Sequence, residues 1–251
     1  MTRAGAVSGN PEKSGVDITT VFLDAGGVLV VPNWQRVSDA LEAHGVTAAA
    51  ADLAAADPLA RRDIDLGLGG VASDQQRGWQ YFDLVLQHAG VSVSDRTSAA
   101  LADLQAYHTR WNLWEVVPDG TREALDRLRR LGLRLVVVSN ANGKLRLLFE
   151  RIGLASRFDV MLDSTEEGVE KPDPRLFEIA LERSGAERAR TLHVGDLYHV
   201  DVEGARAAGL DAVLLDPLDL YTGFDCRRVH SLNELAALLE QDRPARPSSS
   251  S

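Results

Sequence analysis

Five short apolar runs, each rich in β-branched residues, set the tightest limit on how this chain of 251 residues folds. Runs of this length and composition are typical of strands that are buried on both faces. Helical patterns separate the last four runs, and this alternation predicts an α/β fold with a parallel sheet covered by helices on both sides. The predicted strands are Ile18–Leu23, Leu133–Val138, Phe158–Leu162, Thr191–Val194 and Ala212–Leu215. The predicted helices are Thr121–Leu131, Leu145–Ile152, Pro174–Ser184, Val202–Ala208 and Leu232–Leu239.

A long stretch without strand patterns separates the first apolar run from the second. Residues 34–113 contain four amphipathic patterns and predict a helical domain inserted into the α/β domain. These patterns are Trp34–His44, Ala48–Asp65, Asp74–His88 and Thr97–Arg110, and the expected connections are Val30–Asn33 and Trp111–Pro118. The predicted organisation is an α/β core of residues 17–33 and 114–242, the helical insert 34–113, and disordered tails at 1–16 and 243–251.

The composition excludes several classes of protein. Lys and Arg number 27 against 37 Asp and Glu, so the formal net charge is −10. We expect no nucleic-acid partner and no membrane partner, because both attract basic surfaces. No apolar run reaches the roughly 20 residues that span a bilayer, and no signal peptide is evident, which predicts a cytoplasmic location. Cys226 stands alone, so an intramolecular disulfide and a multi-cysteine zinc site are excluded.

Polar residues follow the predicted strands at the edge of the sheet where parallel α/β proteins bind ligands. Each of them alone has an ordinary explanation as a turn, a helix cap or a solvated side chain. Their joint occurrence after successive strands favours a functional site. They are Asp24 after the first strand, Ser139 and Asn140 after the second, Lys171 after the third, and Asp196 and Asp201 after the fourth.

These residue types suit a phosphoryl group as the reacting centre. Asp24 is a competent nucleophile for an aspartyl-phosphate intermediate, and the Gly26–Gly27 pair lets backbone amides approach an anion closely. Ser139 donates a hydrogen bond, and Lys171 supplies a positive charge. Two further carboxylates, Asp196 and Asp201, are suited to holding Mg²⁺ together with water and a substrate phosphate.

The ordered segments FLDAGGVL, VVVSN, EKPDPRLFEIAL and HVGDLYHVDVEGARAAGL resemble the four motifs of the haloacid dehalogenase-like (HAD) hydrolase superfamily. The resemblance covers roughly residues 17–240. It implies a Rossmann-like core with parallel strand order 5-4-1-2-3. The 115-residue separation of Asp24 and Ser139 leaves room for the helical cap domain of subfamily I.

The resemblance also implies roles for individual residues. Asp24 matches the nucleophile and Lys171 the stabilising cation, whereas Ser139 matches the phosphate-binding hydroxyl, beside Asn140 and Gly27 in the substrate site. The metal ligands implied for Mg²⁺ are Asp24, the backbone carbonyl of Gly26, Asp196, and Asp201 as a partner often acting through water.

The sequence departs from the family pattern at Gly26. Phosphatases of the family usually carry a second Asp there, two residues after the nucleophile, as general acid and base. Three interpretations stay open. The first is a Mg²⁺-dependent phosphatase for a small phosphorylated metabolite, in which water, a cap residue, His199 or Tyr198 replaces the acid. The second is a 2-haloacid dehalogenase, whose metal-free chemistry does not explain Asp196 and Asp201. The third is a regulatory relative without turnover. No oligomeric state is predicted.

Overall fold

The structure, a computed structural model, describes residues 17–67 and 74–242. The two predicted tails, 1–16 and 243–251, lie outside the described residues. Six parallel strands form one sheet in the order β3-β2-β1-β4-β5-β6. These strands are β1 (Thr20–Leu23), β2 (Arg134–Ser139), β3 (Val160–Asp163), β4 (Thr191–Gly195), β5 (Asp211–Leu215) and β6 (Arg227–Val229).

The strand order confirms the Rossmann-like α/β core. Five strands follow the predicted 5-4-1-2-3 order when the sheet is viewed from the opposite edge, and all five predicted strands are present within one or two residues of their expected bounds. The sixth strand, Arg227–Val229, was not predicted, because two of its three residues are arginines and only Val229 is fully buried. Such a short edge strand has no apolar run to mark it.

Alternate side chains of the central strands enter two separate cores, one on each face of the sheet. Val21 and Leu23 of β1 pack with helices on one face, whereas Phe22 packs on the other. This period of two is the direct consequence of the pleated strand. The first face is covered by α5 (Thr121–Arg130), α6 (Leu145–Arg151) and α10 (Leu232–Gln241). The second is covered by α8 (Pro174–Ser184) and α9 (Glu203–Ala207), and a short helix, α7 (Ser164–Glu167), follows β3.

Four helices lie between β1 and α5 and have a hydrophobic core of their own. Trp34, Leu53, Phe82 and Leu104 represent the four helices in this core. The domain boundaries that the sequence suggests at residues 34 and 113 stay a prediction. The helices are α1 (Trp34–Ala43), α2 (Ala50–Gly67), α3 (Asp74–His88) and α4 (Asp95–Trp111). We call them the cap helices.

The two connections between core and cap helices lie side by side. Val31 and Val116 exchange backbone hydrogen bonds of 2.9 and 3.2 Å, and the Asn33 amide donates to the Leu113 carbonyl at 2.9 Å. The chain therefore leaves and re-enters the core through one paired segment. Within the part of the chain that the structure describes, no helix combines the length and apolar character needed to cross a bilayer.

Truncation of Phe149 tests the packing of α6 against the sheet. Phe149 is completely buried, whereas Leu147 on the same helix is 60% exposed. We expect Phe149→Ala to lower the free energy of unfolding by about 3–5 kcal/mol, because it leaves a cavity in the core. Leu147→Ala, the matched control, should change it by about 0.5 kcal/mol or less. Urea unfolding measures both, and equal effects of the two substitutions would contradict the observed orientation of α6.

Candidate active site

Lys171 occupies the centre of a buried ionic network at the carboxyl edge of the sheet. Its side chain is 1% exposed, and Nζ lies 2.9 Å from Asp24 Oδ1 and 2.7 Å from Asp201 Oδ1. Burial alone would lower the pKa of Lys171, but Asp201 and Asp24 together raise it above its ordinary value. The ammonium group therefore stays charged and holds the two carboxylates on either side of it.

Both carboxylate oxygens of Asp201 accept hydrogen bonds within the protein. Its Oδ1 atom accepts from Lys171 and from His193 Nε2 at 3.0 Å, and its Oδ2 atom accepts from the backbone amides of Asp196 and Leu197 at 3.2 and 3.0 Å. Burial alone would raise the pKa of Asp201, but Lys171 and His193 hold it well below its usual range. This carboxylate orients Lys171 and the loop after β4. Its predicted part in holding a metal stays a prediction.

His193 is completely buried in β4. Its ring packs against Phe177 at a centroid distance of 4.9 Å, and burial lowers its pKa. A neutral ring with its proton on Nε2 donates to Asp201, so the histidine also supports the ionic network.

Three carboxylates lie close enough together to share a cation. Asp24, Asp196 and Asp201 are all buried, and each offers one oxygen within 4.8 Å of the others. Burial raises the pKa of Asp24 although Lys171 acts in the opposite direction, and burial raises the pKa of Asp196 to about 7 although Arg61 opposes it. Oxygen ligands of this type fit a hard divalent cation such as Mg²⁺. The cluster therefore provides an oxygen-donor set for a metal.

Arg61 of α2 reaches into this cluster from the cap helices, and sequence reasoning missed it. Its guanidinium lies 2.6 Å from Asp196 Oδ2 and also pairs with Asp57, one turn earlier on α2, at 2.9 Å. Tyr81 donates to the same Asp57 carboxylate at 2.6 Å. Burial alone would lower the pKa of Arg61, but Asp57 and Asp196 raise it. A contact spanning 135 residues leaves no local pattern in the sequence.

The glycines around Asp24 differ in how strongly the surrounding structure requires a residue without a side chain. Gly27 has a positive φ of 77°, and a Cβ there would collide with Asp196 and Arg61. At Gly195 a Cβ would collide with the Asp201 side chain. Gly26, in contrast, does not have a positive φ, and a Cβ there would meet only the Trp114 indole at 3.7 Å. Close packing therefore requires Gly27 and Gly195, whereas the backbone does not require Gly26.

Ser139 and Asn140 end β2 on the same side of the sheet. Ser139 is buried and lines the cavity above Asp24. The Asn140 side chain accepts from the Lys171 backbone amide at 2.7 Å and donates to the Lys171 carbonyl at 2.9 Å. Asn140 thus positions the loop that carries the lysine, and the predicted contacts of both residues with substrate stay predictions.

A second cap residue docks α2 on the core. Asp65 is completely buried and accepts hydrogen bonds from the backbone amides of Tyr198 and His199, at 2.9 and 3.1 Å, and from the Tyr221 hydroxyl at 3.0 Å. Burial raises the pKa of Asp65, although His199 opposes the shift. The His199 Nδ1 atom lies 3.4 Å from Asp65 without a hydrogen bond to it, and neither His199 nor Tyr198 lines the cavity. The geometry does not favour either as the missing acid.

A cavity of about 770 Å³ lies between the sheet edge and the cap helices. Its floor holds Asp24, Ser139 and Lys171, and Arg61 and Asp196 lie at one side. Two aromatic residues, Tyr81 of α3 and Trp114, also line this cavity. Polar cap and core residues complete the lining: Gln105, His108, Asn112, Asn142 and Lys144.

The sequence model of the haloacid dehalogenase-like hydrolases covers residues 18–209. This chain belongs to the haloacid dehalogenase-like hydrolase family. Membership confirms the resemblance that the four motifs carry.

Two curated relatives illustrate the range of similarity within the family. Haloacid dehalogenase-like hydrolase domain-containing protein 3 of Bos taurus is 36% identical over 180 residues, which cover 69% of this chain and 70% of that protein. Ribulose-1,5-bisphosphate 5-phosphatase of Halopiger xanaduensis is 34% identical over 163 residues, covering 62% of this chain and 65% of that protein.

The fold itself is shared with solved HAD structures. The magnesium-bound HAD-hydrolase YfnB of Bacillus subtilis superposes with a TM-score of 0.64 and covers 88% of this chain and 98% of its own. The two sequences are 19% identical, so this similarity concerns the architecture.

Removal of the Lys171 charge tests the ionic network of this HAD-like site. We expect Lys171→Met to lower the free energy of unfolding of the metal-free protein by about 3–5 kcal/mol near neutral pH, because Asp24 and Asp201 remain buried without their cation. Lys144→Met is the matched control, since Lys144 donates only to the carbonyls of Thr109 and Arg110 at the end of α4. It should cost about 1 kcal/mol or less.

The loss of unfolding free energy in Lys171→Met should depend on pH, in a direction set by the pKa of Asp201. The depressed pKa of Asp201 stabilises the folded protein above the unfolded value of 3.8, and this contribution disappears as the pH falls through the folded pKa. The difference between wild type and Lys171→Met should therefore narrow as the pH falls below about 4, towards the depressed pKa of Asp201. Urea unfolding at several pH values measures it, and a constant difference would count against the network.

Proposed function

We propose that the protein is a Mg²⁺-dependent phosphatase that acts on a small phosphorylated metabolite through an aspartyl-phosphate on Asp24. The observation that carries the proposal is the placement of the Asp24 carboxylate between a fully buried ammonium group and two further carboxylates able to hold a metal. The relative from Halopiger xanaduensis, a named phosphatase, supports the same reaction class.

The charge balance of the site supports a cation and an anionic substrate together. Three buried carboxylates face two basic groups, Lys171 and Arg61, which leaves an excess of negative charge. We propose that Mg²⁺ is held by Asp24, Asp196 and the Gly26 carbonyl, with Asp201 behind them. When bound, the ion supplies positive charge next to the transferring phosphoryl group. The protein is acidic overall, and yet this pocket then accepts a phosphate.

Different residues have different roles in the proposed phosphoryl transfer. An Asp24 carboxylate oxygen attacks phosphorus while the bond to the leaving oxygen breaks and its electron pair stays on that oxygen. Lys171 and the Ser139 hydroxyl stabilise the phosphoryl oxygens, and Lys171 also favours the ionised form of Asp24. Water then attacks the aspartyl-phosphate, which releases inorganic phosphate and regenerates the carboxylate.

The cap helices supply the rest of the substrate site. Arg61 brings a cap cation within 2.6 Å of Asp196, and Asp57 and Tyr81 hold it in this position. The cavity of about 770 Å³ has the size of a small-metabolite pocket. We propose that closure of the cap helices over this cavity excludes bulk water during phosphoryl transfer.

The buried acidic cluster also bears on the two other interpretations. A 2-haloacid dehalogenase displaces halide without a metal, and its chemistry gives no reason to bury Asp196 within reach of Asp24 and Asp201. A regulatory relative without turnover has no need for a buried lysine fixed within hydrogen-bond distance of a nucleophile. Both features are consistent with phosphoryl transfer.

A panel of phosphate esters with and without Mg²⁺ tests the proposed reaction. We expect hydrolysis that Asp24→Asn reduces by at least about 10⁴-fold, because the amide is not a nucleophile for phosphorus. Asp173→Asn is the matched control, because Asp173 is an exposed N-cap residue and Asn also caps helices. The release of inorganic phosphate measures the activity of the wild type and of both variants. Full activity of Asp24→Asn would reject the mechanism.

Metal removal separates the phosphatase from the dehalogenase. We expect excess chelator to abolish ester hydrolysis and added Mg²⁺ to restore it, because the transferring group otherwise faces uncompensated carboxylates. Asp196→Asn should weaken metal binding measured by calorimetry as well as turnover. Halide release from 2-chloropropionate in the presence of chelator would decide for the dehalogenase instead.

A further inference from the structure

The indole ring of Trp114 borders the otherwise open space above Gly26. A Cβ built on Gly26 would be 3.7 Å from both Cδ1 and Nε1 of Trp114, and the structure gives no other heavy atom within 4 Å. A side chain extending from residue 26 would therefore pass along the edge of the indole that carries the N–H. In phosphatases of the family this is the residue that bears the general acid.

The Trp114 ring is held firmly in this position. Its backbone amide donates to Asn112 Oδ1 at 3.0 Å, and its ring packs edge-to-face against His108 at a centroid distance of 5.4 Å. Tyr81 and Phe82 approach it at 5.9 and 5.8 Å. The indole thus has little freedom to turn, and its N–H direction is set by the surrounding aromatic side chains.

Among the described residues, the indole N–H has no hydrogen-bond acceptor, and it lies beside Gly26 at the substrate cavity. Trp114 lines the cavity, and within residues 17–67 and 74–242 no acceptor takes a hydrogen bond from Nε1. The other polar groups nearest the nucleophile are already engaged, as Lys171 is with Asp24 and Asp201, and Arg61 is with Asp196. A donor left without a partner at the edge of an active cavity is available to a ligand.

We propose that the Trp114 indole N–H hydrogen-bonds to the leaving-group oxygen of the substrate, in the space that a residue larger than glycine at position 26 would fill. The inference rests on the proposed phosphatase function. An indole does not give up its proton at ordinary pH, so it stabilises the electron pair that the breaking P–O bond leaves on this oxygen. The proton comes from water afterwards. The favoured substrates are phosphates with acidic leaving groups, such as aryl, enol or acyl phosphates.

The dependence of rate on the leaving group tests this assignment. For a series from 4-nitrophenyl phosphate to phenyl phosphate we expect wild-type kcat/KM to fall steeply as the leaving group becomes more basic. Trp114→Phe should lower kcat/KM for phenyl phosphate by about 10-fold to 100-fold, the worth of a hydrogen bond to a charged group. The loss for 4-nitrophenyl phosphate should be smaller, because less charge develops on its oxygen.

Two further variants sharpen the test. Trp111→Phe is the matched control, because Trp111 is 44% exposed, three residues away, and outside the cavity lining. Gly26→Asp should raise the rate for phenyl phosphate and flatten the series, and Trp114→Phe should then have little additional effect. An equal loss for all leaving groups, or no loss, would overturn the role of Trp114 and leave the phosphatase assignment intact. Absence of wild-type turnover on every ester would overturn both.

A measurement without turnover covers the case in which Trp114→Phe does not fold. In the Asp24→Asn protein, binding of phenyl phosphate should shift the Trp114 indole N–H proton resonance downfield, as expected for a new hydrogen bond to oxygen. The Trp111 indole resonance should not move. An unshifted Trp114 resonance at saturating ligand would overturn the proposal.

Discussion

The buried ammonium group of Lys171 is the interaction on which the rest of the site depends. A charge removed from water is tolerated only where opposite charges surround it, and here Asp24 and Asp201 supply them at 2.9 and 2.7 Å. These three residues come from the end of β1, the loop after β3 and the loop after β4. The parallel sheet brings these three distant segments to one edge. Their placement is stable only because the charges of the three side chains compensate each other.

The same electrostatic constraint extends to the cap helices. Asp196 and Asp65 are buried at the boundary between core and cap, and each is satisfied by a group from the opposite side: Arg61 for the first and the amides of Tyr198 and His199 for the second. Separating α2 from the core would leave these groups unpaired. Hydrogen-bonded charges therefore help to fix the position of α2 over Asp24.

The parts of this structure that could be predicted from the sequence are those with a local signal. Asp24, Ser139 and Lys171 each follow a strand whose apolar run is visible in the sequence, and parallel topology alone brings strand ends together. Arg61 and Asp65 lie on an amphipathic helix with no distinguishing pattern, and their partners in the core are more than 130 residues away in the sequence. The edge strand β6 has two arginines in three residues and gives no apolar pattern. What the sequence did not reveal is tertiary pairing of charged groups.

The glycines of the site differ in whether the surrounding structure requires them. Neighbouring side chains exclude any Cβ at Gly27 and Gly195, whereas Gly26 has ordinary backbone geometry and an open space above it. A Cβ at residue 26 would make an ordinary contact with Trp114, so the backbone and its packing do not by themselves require glycine there. The group that faces this space, Trp114, packs against the hydrophobic clusters of both the core and the cap helices. One indole ring therefore stabilises the junction between the two parts and limits which leaving groups the site can expel.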